Sequence, residues 1–403
     1  MRSRWITLGI PLSLGAAAAG GARQATPCVR PPARAAVASA PIVIAAPTRI
    51  PCTVRTVDTP VELRADEAGR VAGIGSRILR APDGRFFTTW RTEVSVWSAD
   101  GRFIRNIGGQ GGGPGEFFGA PKLFFDAAGR LFALDRNRWT VYSPSLELLG
   151  TRSVAESQFG GPGSRHDTDG ATLLDDGTFL SGDLSAHGAG SYFVIWDVAQ
   201  GRGAPASSSP PVIRTFDPVR QGEAGAAYRA IGYAGGDTFW AGPPMMTSGR
   251  GYELELWRTD GTKLRTIRRE VSWFPQRPNG GRGRAGVDVP PPPGVGGILV
   301  DRAGLLYVFV TVPNEHWRPP RREDGSPPPP RPPNPPDPAD IYMDVIDPEA
   351  GVLLASAGPM PYGEAIARLP ITGFRGTSWG YRVGETSDGL SFARILEHQL
   401  VAQ

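Results

Sequence analysis

The sequence predicts an all-β fold: a six-bladed β-propeller of four-stranded antiparallel blades, with the ring closed by strands from both ends of the chain. One observation is a pattern that recurs five times. It consists of a turn, a strand, a loop and a second strand that ends in a large apolar residue. Another is that these strands are short, rich in aromatic and β-branched residues and bounded by turn residues, as in small antiparallel sheets. The residues that end the second strands are Trp97, Tyr142, Trp196, Trp257 and Ile346.

Each repeat supplies four strands. An innermost strand precedes the pattern, as at Lys122–Phe125, and the first strand of the pattern begins after a glycine. The second strand is followed by a turn such as Ala99-Asp100-Gly101, from which a further strand leaves. Small four-stranded sheets repeated around an axis are the blades of a propeller.

The sixth blade is expected to combine the two ends of the chain. After the fifth repeat, Ile371 to Glu385 and Leu390 to Val401 supply inner strands but no outermost one, and Thr53 to Leu63 is a strand without a blade. Pairing these segments closes the ring. The propeller then spans residues 53–403 and contains Pro-rich insertions at 276–294 and 317–340.

The segment before the propeller has two parts. Residues 1–22 predict a signal peptide, because Arg2 and Arg4 precede a short apolar run that ends in small residues. Residues 23–52 are rich in Ala and Pro without any period and predict a disordered tether. We therefore expect a secreted or periplasmic protein without a transmembrane span.

The two cysteines stand near the ends of this tether. In an oxidising compartment Cys28 and Cys52 can pair in a disulfide. Alternatively, Cys28 carries a lipid, which would make the protein an outer-membrane lipoprotein. The residues Ala25-Thr26-Pro27 differ from the usual lipid attachment sequence and favour the first alternative, but both remain open.

The charge pattern argues against a nucleic-acid partner. The net charge is +4, but the 43 basic residues are spread among 39 acidic ones. Nearly all of them are Arg, and no long basic run is present. A phosphate-binding stripe would need such clustering.

One segment carries a more specific motif, which consists of Gly108-Gly-Gln-Gly-Gly-Gly-Pro-Gly-Glu-Phe117, Ala120-Pro121, Asp126-Ala-Ala-Gly129, Asp135-Arg-Asn-Arg138 and Val141-Tyr142. It resembles an NHL-type repeat, and the chain as a whole is similar to the six-bladed, NHL-repeat-like propeller proteins that bacteria export. The resemblance implies an exported propeller. Related propellers include both binding modules and enzymes, so the fold alone assigns no activity.

Strand alternation places the long loops on one side of the ring. The loops between second and third strands, and the links between blades, lie on the same face, which we call the looped face. All the long excursions of this chain belong to that set. Elaborated loops on a rigid scaffold are the usual place for binding.

The sequence favours a non-enzymatic protein: an extracytoplasmic recognition or scaffold propeller that binds a protein, peptide or glycan on the looped face, without a cofactor. Two interpretations of the arginines after Asp135 are open. They either bind an anion, or they cap a strand end and hydrogen-bond to the neighbouring backbone. The candidate ligand-binding residues are Arg136, Asn137, Arg138, His187 and Trp317.

The alternative is a metal-dependent hydrolase or lyase with its site at the propeller axis. His166, His187 and His316 fall on the looped face near carboxylates and are the candidate ligands of a divalent metal. They belong to different blades and show no short ligand spacing. This lack of spacing favours the binding hypothesis over the catalytic one.

The two hypotheses differ in the metal content of the purified protein. If the looped face holds no metal centre, combining His166→Ala, His187→Ala and His316→Ala leaves the metal content at background. The free energy of unfolding then changes by less than about 1 kcal/mol, as for surface positions. Elemental analysis and thermal melting check both quantities. A stoichiometric divalent ion, lost in the variant together with several degrees of melting temperature, would contradict this expectation, because bound metal stabilises the folded form.

Overall fold

The structure is a computed structural model of the 403-residue chain. It describes residues 26–33, 41–45, 49–64, 78–135, 138–153, 171–175, 177–184, 191–196, 212–216, 229–243, 251–274, 293–314, 339–361, 372–373, 379–387 and 389–403. Every regular element within these ranges is a β-strand, and the strands form six sheets in a β-propeller arrangement. The predicted fold class is confirmed.

Two strands precede the first blade, and each of the next three blades is an antiparallel meander of four consecutive strands. The early strands are β1 (Ile42–Ile44) and β2 (Cys52–Arg64). The first three blades contain β3 (Ile78–Arg80), β4 (Phe86–Trp90), β5 (Glu93–Trp97) and β6 (Phe103–Gly108); β7 (Lys122–Phe125), β8 (Leu131–Asp135), β9 (Arg138–Tyr142) and β10 (Leu148–Ser153); and β11 (Ala171–Leu173), β12 (Phe179–Leu184), β13 (Ser191–Trp196) and β14 (Val212–Phe216).

The fourth and fifth blades repeat this meander, and three further strands follow them. The fourth and fifth blades contain β15 (Ile231–Gly235), β16 (Thr238–Ala241), β17 (Tyr252–Arg258) and β18 (Lys263–Arg269), and β19 (Gly294–Val300), β20 (Leu306–Pro313), β21 (Ala339–Asp347) and β22 (Val352–Pro361). The last strands are β23 (Thr372–Gly373), β24 (Trp379–Glu385) and β25 (Ser391–Ala402).

The five repeats predicted from the sequence are the first five blades. The two strands of the recurring pattern are the second and third strands of each blade. Trp97 and Tyr142, which end β5 and β9, and Ile346, the penultimate residue of β21, are buried between blades. The indole nitrogen of Trp97 donates to Thr88 Oγ1 at 3.0 Å, so its polar group is satisfied inside the core.

A turn of one recurring geometry joins third to fourth strands. After β5, Gly101 N–H donates to Ser98 O at 3.0 Å, and Ser98 N–H donates to Arg102 O at 2.8 Å. Gly101 has a φ of 90°, a conformation that glycine adopts without steric strain. A Cβ at this position would lie 2.6 Å from the carbonyl oxygen of Glu62, so the turn could not approach β2 with a larger residue.

Apolar clusters join neighbouring blades around the ring. Phe87 and Leu131 meet between the first and second blades, and Phe86 packs with Tyr381 between the first and sixth. Four more clusters join the other pairs of neighbouring blades. Burying one large apolar side chain contributes about 1.5–3 kcal/mol. Each blade is therefore stabilised mainly by its two neighbours.

The sixth blade is built from both ends of the chain, as the sequence predicts. Strand β2 pairs antiparallel with β25, from Cys52 opposite Ala402 to Arg64 opposite Phe392, and β25 pairs with β24. The short strand β23 instead pairs in parallel with β3 of the first blade. The ring is thus closed by hydrogen bonds between the N- and C-terminal strands.

The described parts of the predicted tether lie against the propeller, which differs from the disordered segment that its composition predicts. Strand β1 pairs in parallel with β18, the outermost strand of the fourth blade. In the fifth blade, Arg30 donates to Asp347 Oδ2 at the end of β21, at 2.8 Å, and to Ala303 O in the turn between β19 and β20, at 2.7 Å. Cys28 and Cys52 form a disulfide, with Cα atoms 5.8 Å apart. Of the two alternatives for Cys28, the structure contains the disulfide.

The physical reason for this docking is local. Ile42-Val43-Ile44 is a β-branched run that covers the exposed edge of β18, where unpaired backbone groups would otherwise face solvent. Ile44 is 6 % exposed and belongs to the cluster between the fourth and fifth blades, whereas Val43 is 46 % exposed. A run of three such residues within an Ala/Pro-rich segment is too short to predict a strand from the sequence.

Val43 is exposed and the adjacent Ile44 is buried, so these two positions of β1 can be compared in a test. We expect Ile44→Ala to lower the free energy of unfolding by about 2–5 kcal/mol, because it leaves a cavity between two blades. We expect Val43→Ala to change it by less than about 0.5 kcal/mol, as for a surface position. Chemical denaturation of both variants measures the difference. Equal, small effects would mean that β1 does not pack on the propeller.

Candidate functional site

The described part of the looped face centres on the link between the first and second blades. Of the predicted site residues, Arg138 alone lies within the described ranges. The ligand-binding candidates Arg136, Asn137, His187 and Trp317, and the metal candidates His166 and His316, lie outside them. Their roles stay predictions.

The link between these blades, Gly108–Phe118, is a hydrogen-bonded loop. Gly109 N–H donates to Thr92 O at 3.1 Å, which ties the loop to the hairpin between β4 and β5. Phe117 N–H donates to Gly109 O at 2.7 Å, and the Phe117 side chain is fully buried between the two blades. Phe117 therefore anchors the loop between the two blades.

Arg138 organises the loop from inside. It is 7 % exposed, and its guanidinium donates to Gly112 O at 2.6 Å, to Gly111 O and Gly113 O at 3.3 Å each, and to Glu116 O. A guanidinium carries five donors in a rigid planar fork and can satisfy several carbonyl groups at once. This geometry matches the interpretation in which the arginine bonds to neighbouring backbone.

Two carboxylates complete the loop. Asp135, at the end of β8, accepts the N–H of Phe118, and its Oδ2 lies 3.9 Å from Arg138 Nη2. Glu116 accepts the N–H of Gly113 at 2.7 Å. Hydrogen bonds from backbone and side chains within the protein thus hold the loop, which favours a fixed geometry for its outer residues.

The outer residues of this region include two exposed aromatic side chains. Phe118 is 49 % exposed, and the Arg138 guanidinium lies 5.1 Å from its ring centroid. Trp90, at the end of β4, is 38 % exposed, with the Arg91 guanidinium 5.7 Å from its ring centroid. Arg91 has a φ of 50°, which is uncommon for a residue with a side chain. We call Trp90 and Phe118 the two exposed aromatics.

A second cluster of charges lies inside the fourth blade. Arg229 pairs with Glu255, and Lys263 Nζ lies 3.0 Å from the other carboxylate oxygen. Burial raises the pKa of Glu255, but Arg229 and Lys263 outweigh it and lower this pKa to about 2. Trp257 also donates to Glu255 at 3.2 Å. Because its charges are paired with one another and mostly buried, this cluster stabilises the interior of the blade.

A third polar cluster lies between the fourth and fifth blades. Arg269 Nε lies 3.5 Å from Asp344 Oδ2, and both side chains are almost fully buried. Burial raises the pKa of Asp344, and burial also raises that of the neighbouring Tyr252. Arg269 in addition donates to Ala45 O at 3.2 Å. This arginine therefore holds the N-terminal segment against the propeller.

Within the described ranges, no three His, Cys, Asp or Glu side chains are grouped closely enough to hold a metal ion. Among those same residues, no helix is long and apolar enough to cross a bilayer.

The two exposed aromatics were not among the residues singled out from the sequence. Trp90 ends a strand rich in aromatic residues, and Phe118 directly follows a buried phenylalanine. Only the turn geometry decides which of these rings is exposed. One available signal is Arg91, which follows Trp90 directly and so offers a cation beside an aromatic ring.

Residues 75–157 match a family model, DUF5128, described as a 6-bladed β-propeller. No curated protein sequence matches the chain. Among solved structures, a "putative exported protein" from Bacteroides fragilis is 13 % identical, with a TM-score of 0.53 over 90 % of this chain and 100 % of the other. A luciferin-regenerating enzyme is 10 % identical, with a TM-score of 0.39 over 86 % and 98 % of the two chains. The family match and the first structure agree with the propeller fold.

The loop around Arg138 can be tested by removing its donors. We expect Arg138→Met, which keeps the aliphatic stem, to lower the free energy of unfolding by about 1–3 kcal/mol, because carbonyl groups are left without donors. The amide protons of Gly111 and Phe118 should then exchange faster, as hydrogen exchange can measure. Arg105→Met is the control, since Arg105 also donates to two carbonyl groups but from an exposed position. Equal effects of the two variants would argue against a special role for Arg138.

Proposed function

We propose that the protein is an extracytoplasmic recognition or scaffold propeller that binds a protein, peptide or glycan on its looped face. The observation that carries this proposal is the hydrogen-bonded loop Gly108–Phe118, which presents the exposed ring of Phe118 and is tied through Gly109 N–H to the β4–β5 hairpin, where Trp90 is exposed. Exposed aromatic side chains on a rigid backbone lose little conformational entropy on binding.

The pairing of aromatics with arginines supports the same proposal. The Arg91 guanidinium lies over the ring of Trp90, and the Arg138 guanidinium lies over that of Phe118. Trp and Arg, with other aromatic residues, are enriched in binding interfaces and supply most of their hot spots. Planar rings can also stack on the apolar faces of sugars, which keeps a glycan among the ligand classes.

The proposal assigns different roles to the residues predicted from the sequence. Arg136, Asn137, His187 and Trp317 are proposed to contact the ligand from neighbouring loops of the same face. Arg138 is proposed to act as a positioning residue, because its two terminal guanidinium nitrogens donate to the backbone of the loop. The alternative, a metal-dependent enzyme, is tested by measuring the metal content of the purified protein.

The extracytoplasmic location is part of the proposal. Its support is the signal-like pattern of residues 1–22 and the disulfide between Cys28 and Cys52. Disulfides of this kind persist in oxidising compartments and are rare in the cytosol. The similar Bacteroides fragilis structure is that of a protein described as exported.

The proposal can be tested on an array of immobilised peptides and glycans probed with the labelled protein. We expect the double variant Trp90→Ala and Phe118→Ala to weaken binding at least about tenfold, since hot-spot aromatics contribute about 2 kcal/mol or more. The matched control is Ile104→Ala on β6, an apolar residue of similar exposure, 48 %, outside the loop. The proposed surface would be contradicted if the double variant bound the array as strongly as the wild type. It would also be contradicted if Ile104→Ala weakened binding as much as the double variant does.

A further inference from the structure

The first described residues of the chain, 26–33, lie against the C-terminal strand of the propeller. We call them the N-terminal arm. Ala402 N–H donates to Thr26 O at 2.9 Å, and Cys28 N–H donates to Leu400 O at 3.3 Å. The arm thus adds backbone hydrogen bonds to the end of β25, the strand that closes the ring with β2.

One side chain, that of Arg30, attaches the arm to the fifth blade. In its ion pair with Asp347 the arginine side chain is 37 % exposed, whereas the carboxylate side chain is 1 % exposed. None of the residues 26–33 is buried, and Val29 is 81 % exposed. Ion pairs with an exposed partner contribute little stability, and no buried apolar side chain of the arm adds to this one. Non-covalent contacts therefore hold the arm only weakly.

A covalent bond supplements these contacts. The disulfide joins Cys28, in the arm, to Cys52, the first residue of β2, across 24 positions of the sequence. Cys52 is held independently of this bond, because it is 2 % exposed and lies opposite Ala402 in the pairing of β2 with β25. The disulfide therefore fastens a weakly held segment to a firmly held one. It keeps the arm beside its hydrogen-bond partners at a high effective concentration.

Strand β1, further along the same segment, has its own attachment. Ile44 is buried between the fourth and fifth blades, and its carbonyl oxygen accepts the N–H of Glu270 at 3.0 Å. Arg269 donates to Ala45 O. The chain from Ala45 to Cys52 is short, so β1 stays close to β18 whether or not the disulfide is present. Opening the disulfide is therefore expected to free the arm and to leave β1 docked.

The two cysteines differ in their access to a reductant. Cys28 is partly exposed and Cys52 is buried, so a thiolate of a dithiol attacks the sulfur of Cys28. This attack forms a mixed disulfide with Cys28, and Cys52 leaves as a thiolate that takes up a proton. The second thiolate of the dithiol then attacks the dithiol's own sulfur in the mixed disulfide, and Cys28 leaves and is protonated. The dithiol supplies both electrons and ends as a disulfide.

We propose that the disulfide between Cys28 and Cys52 is a redox-controlled lock on the N-terminal arm, which a dithiol opens while β1 and the ring-closing strands stay in place. Release of the arm uncovers the carboxylate of Asp347, the carbonyl group of Ala303 and the end of β25. The redox state thus changes the surface that the fifth and sixth blades present without changing the fold. The lock is independent of the proposed recognition function.

Hydrogen exchange followed by NMR tests the lock in the wild type, oxidised or reduced with dithiothreitol. The chain contains two cysteines, so the reagent acts on one disulfide. The Ala402 amide has its acceptor, Thr26 O, in the arm, and we expect reduction to speed its exchange at least about tenfold. The Glu270 amide has its acceptor in β1, and its rate should change less than about twofold.

Two results would overturn the proposal. An unchanged rate at Ala402 would mean that the arm stays docked without the disulfide. An equal acceleration at Ala402 and Glu270 would mean that β1 leaves the propeller together with the arm.

Two variants separate the disulfide from the ion pair. We expect the Ala402 amide of Cys28→Ser to exchange at the rate of the reduced wild type, with no further effect of dithiothreitol. The matched control is Arg30→Gln, which removes the ion pair with Asp347 and keeps the disulfide. Its oxidised form should keep the Ala402 rate within about twofold of the wild type. If Arg30→Gln freed the arm as fully as reduction does, the ion pair would be the lock and the proposal would be wrong.

Alkylation tests which cysteine becomes accessible. After reduction and brief treatment with iodoacetamide, we expect modification of Cys28 before Cys52, because Cys52 stays buried at the start of β2. Peptide mapping by mass spectrometry measures both sites. Equal modification of the two cysteines would overturn the proposal, since β2 would then have opened as well.

Discussion

The apolar contact between neighbouring blades is the interaction on which the rest of the structure depends. A four-stranded sheet of this size has two faces to cover, and each blade covers them with its two neighbours. The arrangement works only if the ring closes, because an open ring would expose the apolar faces of its first and last blades. Strands β2 and β25 close the ring by pairing with each other. Their backbone hydrogen bonds place Leu63 against the first blade and Val54 against the fifth.

Polar groups are placed around this apolar framework according to what they can pair with. Arg138 enters the space between two blades because the carbonyl groups of Gly108–Phe118 turn inward to meet it. Arg269 is accommodated between the fourth and fifth blades by Asp344 and by the backbone of the N-terminal segment. In both places a buried cation adds hydrogen bonds to the apolar contacts that hold the segment, those of Phe117 in one case and of Ile44 in the other.

Much of the fold could be predicted from local sequence patterns, and less of the site. The second and third strands of each blade carry period-two aromatic and β-branched residues, and an unpaired strand at each end of the chain implies closure. The docking of β1 could not be predicted, because Ile42–Ile44 gains its stability from β18, more than two hundred residues away. Contacts such as that of Arg80 with Trp379 have no local pattern either. Arg138 was among the predicted residues, but only its burial distinguishes a residue that holds a loop from one that contacts a ligand.

The pairing of β2 with β25 also constrains the order in which the protein is made. Residues 52–64 are synthesised long before their partner strand, residues 391–402. The sixth blade therefore cannot assemble until that partner strand has been made. High contact order of this kind slows folding. Closure of the ring is therefore expected to be a late step of folding, because it depends on two strands that lie far apart in the sequence.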